Sequence, residues 1–179
     1  MITLHIPSSV QIHFFQQQGK HFLQIAGPEG LIKWNISKFK QLLLRTKSST
    51  IEICSFFDVR SAQNEAKAFS SKLQGLIEGV QRPYNVSLQL RGLGYRWTLE
   101  DHTLVLQIHA SHPVYFKLPL EIQCQILNPT ELTLWCVDPN QLGQMAQKIC
   151  ALHPKDPYKG KGIWRLGEET TLKEKKRKS

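Results

Sequence analysis

The chain has 179 residues, a net charge of +9 and a sequence pI near 9.5, and 41% of its residues are hydrophobic. This length suits one large domain or two small ones, and the composition excludes a disordered chain. The basic balance favours a polyanionic partner, and no apolar run approaches the ~20 residues of a membrane span.

The first half of the chain is predicted to form four strands and then a helix. Alternating apolar and polar residues predict strands at 10–14, 21–26, 31–36 and 50–56. Gly27-Pro-Glu-Gly30 predicts a turn, because glycine permits positive φ and proline presets φ. From about Ser61 to Val80, apolar residues recur at steps of three and four, which predicts a helix with one apolar face.

The second half repeats this plan. Strands are predicted at 86–90, 95–99, 104–109, 114–118, 122–126 and 131–137, and Asp138 is predicted to cap a second helix. We therefore predict an α+β fold of two similar tandem units, each a small mostly antiparallel sheet with one packed helix, plus a basic C-terminal extension. The predicted bounds are 1–81 and 82–154 for the units and 155–179 for the extension.

The predicted extension holds more than half of the net charge. Residues 155–179 contain nine basic and four acidic residues, a net +5 of the chain's +9. Within it, Lys159-Gly160-Lys161-Gly162 alternates cation and glycine, so lysines can neutralise phosphates while glycines let the backbone approach closely. Tyr158 and Trp164 offer flat faces for a base or ribose. A flexible basic tail with no fixed partner is the alternative.

Two further basic segments are weaker indicators. The terminal run 173–178 is typical of a solvated or phosphate-screening tail. Arg91-Gly-Leu-Gly-Tyr-Arg96 has only a superficial likeness to a dinucleotide loop, since the third glycine is missing and the segment leads into a strand. We interpret it as a glycine bulge or tight contact, with Arg91 and Arg96 as secondary RNA contacts.

Catalytic and metal sites are not expected. The cysteines at 54, 124, 136 and 150 include no CxxC pair, and we interpret them as small apolar residues in a reducing compartment. His109 and His112 lack partners for zinc. No nucleophile, phosphate-loop or paired-carboxylate signature occurs, so the sequence predicts no enzyme and no cofactor.

Several segments resemble one known family, the large-subunit ribosomal protein L-six family. Asp156-Pro-Tyr-Lys-Gly-Lys-Gly-Ile163, followed by Gly167-Glu168, matches its signature almost throughout. The other matching segments keep the family order: Ile6 to Val10, Gly27-Pro-Glu-Gly30, Gly92-Leu-Gly-Tyr95, Ser111-His-Pro113 and Gln141 to Ala146. The resemblance therefore covers nearly the whole chain.

The resemblance implies two similar α+β units and a structural role without catalysis. It also implies binding to domain VI of large-subunit rRNA, near the sarcin–ricin loop and the base of the stalk that recruits translation factors. The implied partners are this rRNA, neighbouring large-subunit ribosomal proteins and nearby translation elongation factors. Together with the charge pattern, it gives these predicted rRNA-binding residues: Lys155, Tyr158, Lys159, Gly160, Lys161, Gly162, Trp164, Arg165, Lys173, Lys175, Lys176 and Arg177.

The chain departs from bacterial members of that family in ways that bear on its compartment. Residues 1–5 lack the usual basic segment, Trp164-Arg165 replaces the usual Arg-Tyr, and segment 37–60 is hard to align. With no transit peptide visible, we expect an organelle-encoded protein of the mitochondrial ribosome. A plastid or a bacterial cytoplasm is the alternative location. A free-standing RNA-binding or RNA-modifying protein, or a basic module for acidic proteins or membrane surfaces, is the alternative function.

Overall fold

The computed structural model describes residues 2–39, 41–47, 49–56, 59–108, 112–168 and 171–173. The strands are β1 Ile2–His5, β2 Gln11–Gln17, β3 Lys20–Gly27, β4 Gly30–Asn35, β5 Leu42–Lys47, β6 Thr50–Ser55, β7 Tyr84–Arg91, β8 Arg96–Glu100, β9 Thr103–Gln107, β10 Val114–Lys117, β11 Gln123–Asn128, β12 Glu131–Cys136 and β13 Gly162–Arg165. The helices are α1 Arg60–Gln81 and α2 Pro139–Leu152.

The chain divides into two compact units. The first comprises 1–83 with 137–139, and the second comprises 84–136 with 140–179. Every strand pairing described is antiparallel, and each unit carries one long helix. The predicted α+β fold of two similar units is confirmed. None of the helices described is long and apolar enough to cross a membrane.

The two units share one strand topology. The first has a three-stranded sheet in the order β1-β6-β5 and a second sheet β2-β3-β4. The second unit repeats both, as β7-β12-β11 and β8-β9-β10, and adds β13 beside β7. Each unit therefore has two sheets where the sequence predicted one. Alternation of side chains locates a strand but does not show which strand it pairs with.

The core of the first unit lies between its sheets and α1. Leu23 and Ile25 on β3 and Ile51 and Ile53 on β6 are fully buried. The helix meets them with the predicted apolar face, all of which is buried: Ala62, Ala66, Phe69, Leu73, Leu76, Ile77 and Val80. At the predicted turn 27–30, a Cβ on Gly27 would lie 2.7 Å from the carbonyl oxygen of Val80. Glycine is needed there because the turn packs directly on the end of the helix.

The core of the second unit centres on Trp97, which is 2% exposed. Its indole Nε1 donates a hydrogen bond to the carbonyl of Thr130 at 3.1 Å. The buried face of α2 consists of Leu142, Met145, Ala146 and Ile149, as predicted, with Cys150 half-buried beside them. Asp138 immediately precedes this helix, and its capping role stays a prediction.

Three strands were not predicted from the sequence. β1 has only four residues, and β5 begins Leu42-Leu-Leu, which lacks alternation. β13 is Gly162-Ile-Trp-Arg165. With only two apolar residues, between a glycine and an arginine, this segment is too short to show the alternation that predicts a strand. β1 and β13 are held by pairing with strands distant in the chain, which a local pattern does not encode, whereas β5 pairs with the next strand, β6.

Candidate nucleic-acid interface

The candidate interface is built on β13, the strand with no counterpart in the first unit. Gly162 pairs with Arg91 and Ile163 with Leu90, so β13 forms an edge of the four-stranded sheet. The sequence placed 155–179 outside the second unit as an extension. Residues 162–165 instead complete the sheet of that unit, because Ile163 and Trp164 are buried there.

Residues 153–163 form a closed loop leading into β13. The backbone N–H of Asp156 donates to the carbonyl of Lys161 at 2.7 Å, and that of Gly160 donates to the carbonyl of Asp156 at 3.0 Å. The Asp156 carboxylate accepts a bond from the N–H of Tyr158 at 2.9 Å, so the acid shapes the turn. At the base of the loop, the backbone N–H of Ile163 donates to the carbonyl of His153 at 3.1 Å. This is a folded loop, so the alternative of a flexible basic tail is wrong for these residues.

The two glycines of the motif are needed inside the protein. Gly160 and Gly162 have φ of +69° and +124°, values that side-chain-bearing residues rarely adopt. A Cβ on Gly162 would lie 2.6 Å from the carbonyl oxygen of Pro154. Both glycines are buried. The sequence assigned them to close approach by RNA, whereas the structure uses them to close the loop.

Trp164 is the buried side chain on which the loop packs. It is 2% exposed, and its indole Nε1 donates to the carbonyl of Gly160 at 2.9 Å. The Arg91 guanidinium lies 4.5 Å and the Lys155 ammonium 5.0 Å from the centre of its ring. The expectation that Trp164 stacks on a base is corrected, because a buried indole has no free face. Its ring instead positions two cations.

The groups left at the surface are fewer than the sequence suggested. Tyr158 is 50% exposed, Lys159 is exposed and Lys161 is half-buried. Lys155 forms an ion pair with Glu168, and this hydrogen bond lowers the pKa of the Glu168 carboxyl. Arg165 is half-buried and donates to the Gln147 side chain at 3.3 Å. Tyr158 and Lys159 are therefore the most accessible members of the motif.

The chain after β13 returns to the loop. The N–H of Lys173 donates to the carbonyl of Pro157 at 2.9 Å, and Leu172 lies against Gly160. The Lys173 side chain is exposed. The predicted contacts Lys175, Lys176 and Arg177 lie outside the described residues.

The glycine segment 91–96 joins the same region. Gly92 packs directly against the ring of Tyr95, which confirms the interpretation as a tight contact. Tyr95 is buried and meets the His153 ring edge-on at a centroid distance of 5.4 Å, so this turn abuts the base of the loop. Arg91 thereby joins the candidate interface. Arg96 begins β8 in the other sheet of the unit, and it is exposed.

The cysteines show no feature of a metal site. All four thiols are free, and the described residues, which do not include His109, contain no group of three side chains that could hold a metal ion. Burial raises the pKa of the Cys124 thiol to about 11. Burial also raises the pKa of Cys150, against the lowering effect of the nearby Arg165 and Lys155 charges. In both cases burial favours the neutral thiol over the thiolate.

A basic loop with an exposed aromatic ring is typical of nucleic-acid-binding proteins. No family model matches the chain. It is 30% identical to large ribosomal subunit protein uL6 of Halorhodospira halophila, over 98% of this chain and 96% of that protein. The uL6 proteins of Legionella pneumophila (strain Corby) and Alkalilimnicola ehrlichii are 31% and 30% identical, over 87% and 97% of this chain and 87% and 94% of theirs. The chain belongs to the uL6 family of large ribosomal subunit proteins, a family of structural components and not of enzymes.

Proposed function

We propose that this protein is a structural constituent of the large ribosomal subunit and binds large-subunit rRNA through segment 155–165, which contains the loop and strand β13. One observation carries the assignment of the site. The segment with the strongest family resemblance is also the loop that the second unit folds around a buried tryptophan, with Tyr158 and Lys159 at its exposed tip.

The mechanism of this loop is positioning. Lys159 and Lys161 neutralise phosphates and release condensed counterions, which supplies affinity that falls with salt. Tyr158 presents an exposed ring to a base or ribose. Because hydrogen bonds from Asp156, Gly160 and Trp164 already fix the loop backbone, little conformational entropy is lost on binding.

Further cations lie around the buried Trp164 ring and along β13. Arg91 and Lys155 flank the Trp164 ring, and Arg165 follows on β13. In the proposal, these groups contribute long-range attraction to the RNA, while Lys173 and the terminal run add screening charge. Arg96 contributes a secondary contact from its exposed position on β8.

The proposed location within the subunit follows from the family resemblance. The rRNA target is domain VI, near the sarcin–ricin loop and the base of the factor-recruiting stalk. Neighbouring large-subunit proteins would contact the remaining surface, and translation elongation factors would act nearby.

The proposed compartment is the mitochondrial ribosome. The relatives named above are bacterial, so a bacterial cytoplasm is the competing location. The departures at residues 1–5, 37–60 and 164–165 support the organelle. Immunodetection of the chain in gradient-purified organellar large subunits tests this, and its recovery only in cytoplasmic ribosomes would exclude it.

Cosedimentation tests the proposed function itself. The full tagged chain is expected to migrate with large subunits at about one copy per subunit and to remain bound at moderate salt. A resident protein of the same subunit serves as the internal standard. Loss of the chain from subunits under conditions that retain the standard would identify a free-standing RNA-binding protein instead.

A further inference from the structure

The outer face of the sheet β2-β3-β4 in the first unit is chemically unusual. The opposite face of this sheet carries Leu23 and Ile25 into the core. Strand register then places on the outer face Gln11, His13, Phe15, Gln17, Lys20, Phe22, Gln24, Ala26, Leu31, Lys33 and Asn35. No aspartate or glutamate occurs among these positions, all of which are described.

Two phenylalanines lie side by side on this outer face. Phe15 and Phe22 are cross-strand partners, and their rings stack with centroids 5.6 Å apart and planes 19° apart. Neither belongs to the hydrophobic core of the described part of the unit. They are half-buried by their own neighbours. Aromatic rings on the solvent side of a sheet form an apolar surface outside the core.

A lysine sits over these rings. The Lys33 ammonium lies 4.8 Å from the Phe15 centroid and 4.3 Å from the Phe22 centroid. It also donates to the Gln17 side-chain oxygen at 2.7 Å. Lys33 is exposed, as are Lys20 and His13 on the same face. The face thus combines positive charge, flat rings and amides without any repelling acid.

An open cavity adjoins the same pair of strands. It measures about 220 Å³ and is lined by Phe14, Phe15, Gln16, His21, Phe22 and Ile36. Phe14 is the cross-strand partner of the buried Leu23 and lies on the same sheet face, yet its side chain is 40% exposed. Phe14, Gln16 and His21 lie on the sheet face opposite Lys33, so this cavity borders the outer face and is not part of it.

We propose that this outer face forms a second RNA-binding surface, which takes an unpaired segment of RNA. An unpaired nucleotide requires a cation for its phosphate, a flat apolar surface for its base and amides for its base edges. Lys33, the Phe15–Phe22 pair and Gln17 or Gln24 supply these three groups on one sheet. An acidic protein segment would use the charge but leave the stacked rings without a matching partner. The surface belongs to the first unit and does not involve segment 155–165.

Anisotropy measurements with a labelled, mixed-sequence single-stranded RNA test the proposal in full-length chains that already carry Lys159→Ala and Lys161→Ala. Added Phe22→Val is expected to weaken binding by about 5- to 100-fold, the loss typical of one stacked base. Added Lys33→Gln is expected to reduce the salt slope by about 0.7, the single-strand value for one phosphate. Lys67→Gln, an exposed lysine on α1, is the matched control and should change little.

Unchanged binding for both Phe22→Val and Lys33→Gln, with urea midpoints showing that both fold, would overturn the proposal. Capture of polyglutamate by this face, lost in Lys33→Gln while RNA binding persists, would also overturn it in favour of a protein partner. A third outcome is that Lys159→Ala and Lys161→Ala alone leave RNA affinity unchanged while added Lys33→Gln weakens it. That result would refute RNA binding by segment 155–165 and support the outer face as the RNA-binding surface.

Discussion

The indole of Trp164 and the carbonyl of Gly160 form a buried hydrogen bond of 2.9 Å. This bond joins the edge strand β13 to the loop that precedes it. It fixes the backbone at the centre of the Lys159-Gly160-Lys161 motif, and the same ring sets the positions of Arg91 and Lys155. A residue without an exposed face therefore organises the exposed charges.

Replacing Trp164 by phenylalanine tests this organisation. The ring is largely kept, but the Gly160 carbonyl loses its indole donor in a buried site. We expect a loss of about 1–3 kcal/mol in the free energy of unfolding, measured by urea titration. Tyr115→Phe is the control, because Tyr115 is 64% exposed and its substitution should change stability by about 0.5 kcal/mol or less. Equal stability of the Trp164→Phe variant would show that the hydrogen bond does not hold the loop.

Gly162→Ala is expected to destabilise the second unit. The new methyl group would lie 2.6 Å from the Pro154 carbonyl oxygen, at a φ of +124°. The backbone strain alone is worth about 1–3 kcal/mol. Gly143→Ala is the matched control, because Gly143 lies within α2 and a methyl group added there would meet nothing within 4 Å. That substitution should stabilise by about 0.5–1 kcal/mol. Thermal or urea unfolding that showed the same sign for both would contradict the proposed role of Gly162.

Glu168→Gln is expected to change RNA binding more than stability. The hydrogen bond from Lys155 lowers the pKa of Glu168, so its stabilising contribution is present above the ordinary value of 4.5 and is lost as pH falls through the lowered value. Because the Glu168 side chain is 41% exposed, we expect a stability cost of only about 0.5 kcal/mol or less near neutral pH.

The same substitution removes a negative charge beside the proposed RNA-binding surface and removes the ion-pair partner of Lys155. Affinity for a large-subunit rRNA fragment should rise by a few-fold at low salt, as measured by filter binding. Weaker binding of Glu168→Gln would indicate that the ion pair is needed to hold Lys155 in a binding position.

Cys124 is expected to resist alkylation. Its pKa of about 11, against an ordinary 9.0, leaves about a hundredfold less thiolate near pH 8 than the same thiol has in an unfolded chain. Peptide mass spectrometry after iodoacetamide treatment measures the rate at Cys124, and the chain in urea provides the unfolded reference. Equal rates in both conditions would mean that burial does not protect this thiol.

The helices and most strands could be predicted because their apolar residues are periodic. The buried face of α1 from Ala62 to Val80 follows steps of three and four, and it packs as expected. Strand pairing could not be predicted in the same way. β1 pairs with β6, about fifty residues later, and nothing in the four residues Ile2–His5 specifies that partner.

The loop could be located from the sequence, but the structural roles of its glycines and of Trp164 could not. Charge and glycine spacing located the loop. Trp164 is buried on β13, and pairing of β13 with β7 places beside its ring Arg91, which lies more than seventy residues earlier in the sequence. The one available signal was the apolar pair Ile163-Trp164 between glycine and arginine. It is too short to distinguish a buried strand from an exposed aromatic contact.

The most direct test of the central claim is the salt dependence of binding to a fragment of domain VI of large-subunit rRNA. The Lys159→Ala, Lys161→Ala double variant is compared with a control pair, Lys67→Ala with Lys117→Ala, which removes the same charge from exposed positions elsewhere. We predict that the slope of log affinity against log salt falls by about one per lost phosphate contact in the loop variant and stays near the unsubstituted value in the control. An unchanged slope in the loop variant, or an equal decrease in both pairs, would contradict the assignment of rRNA binding to this loop.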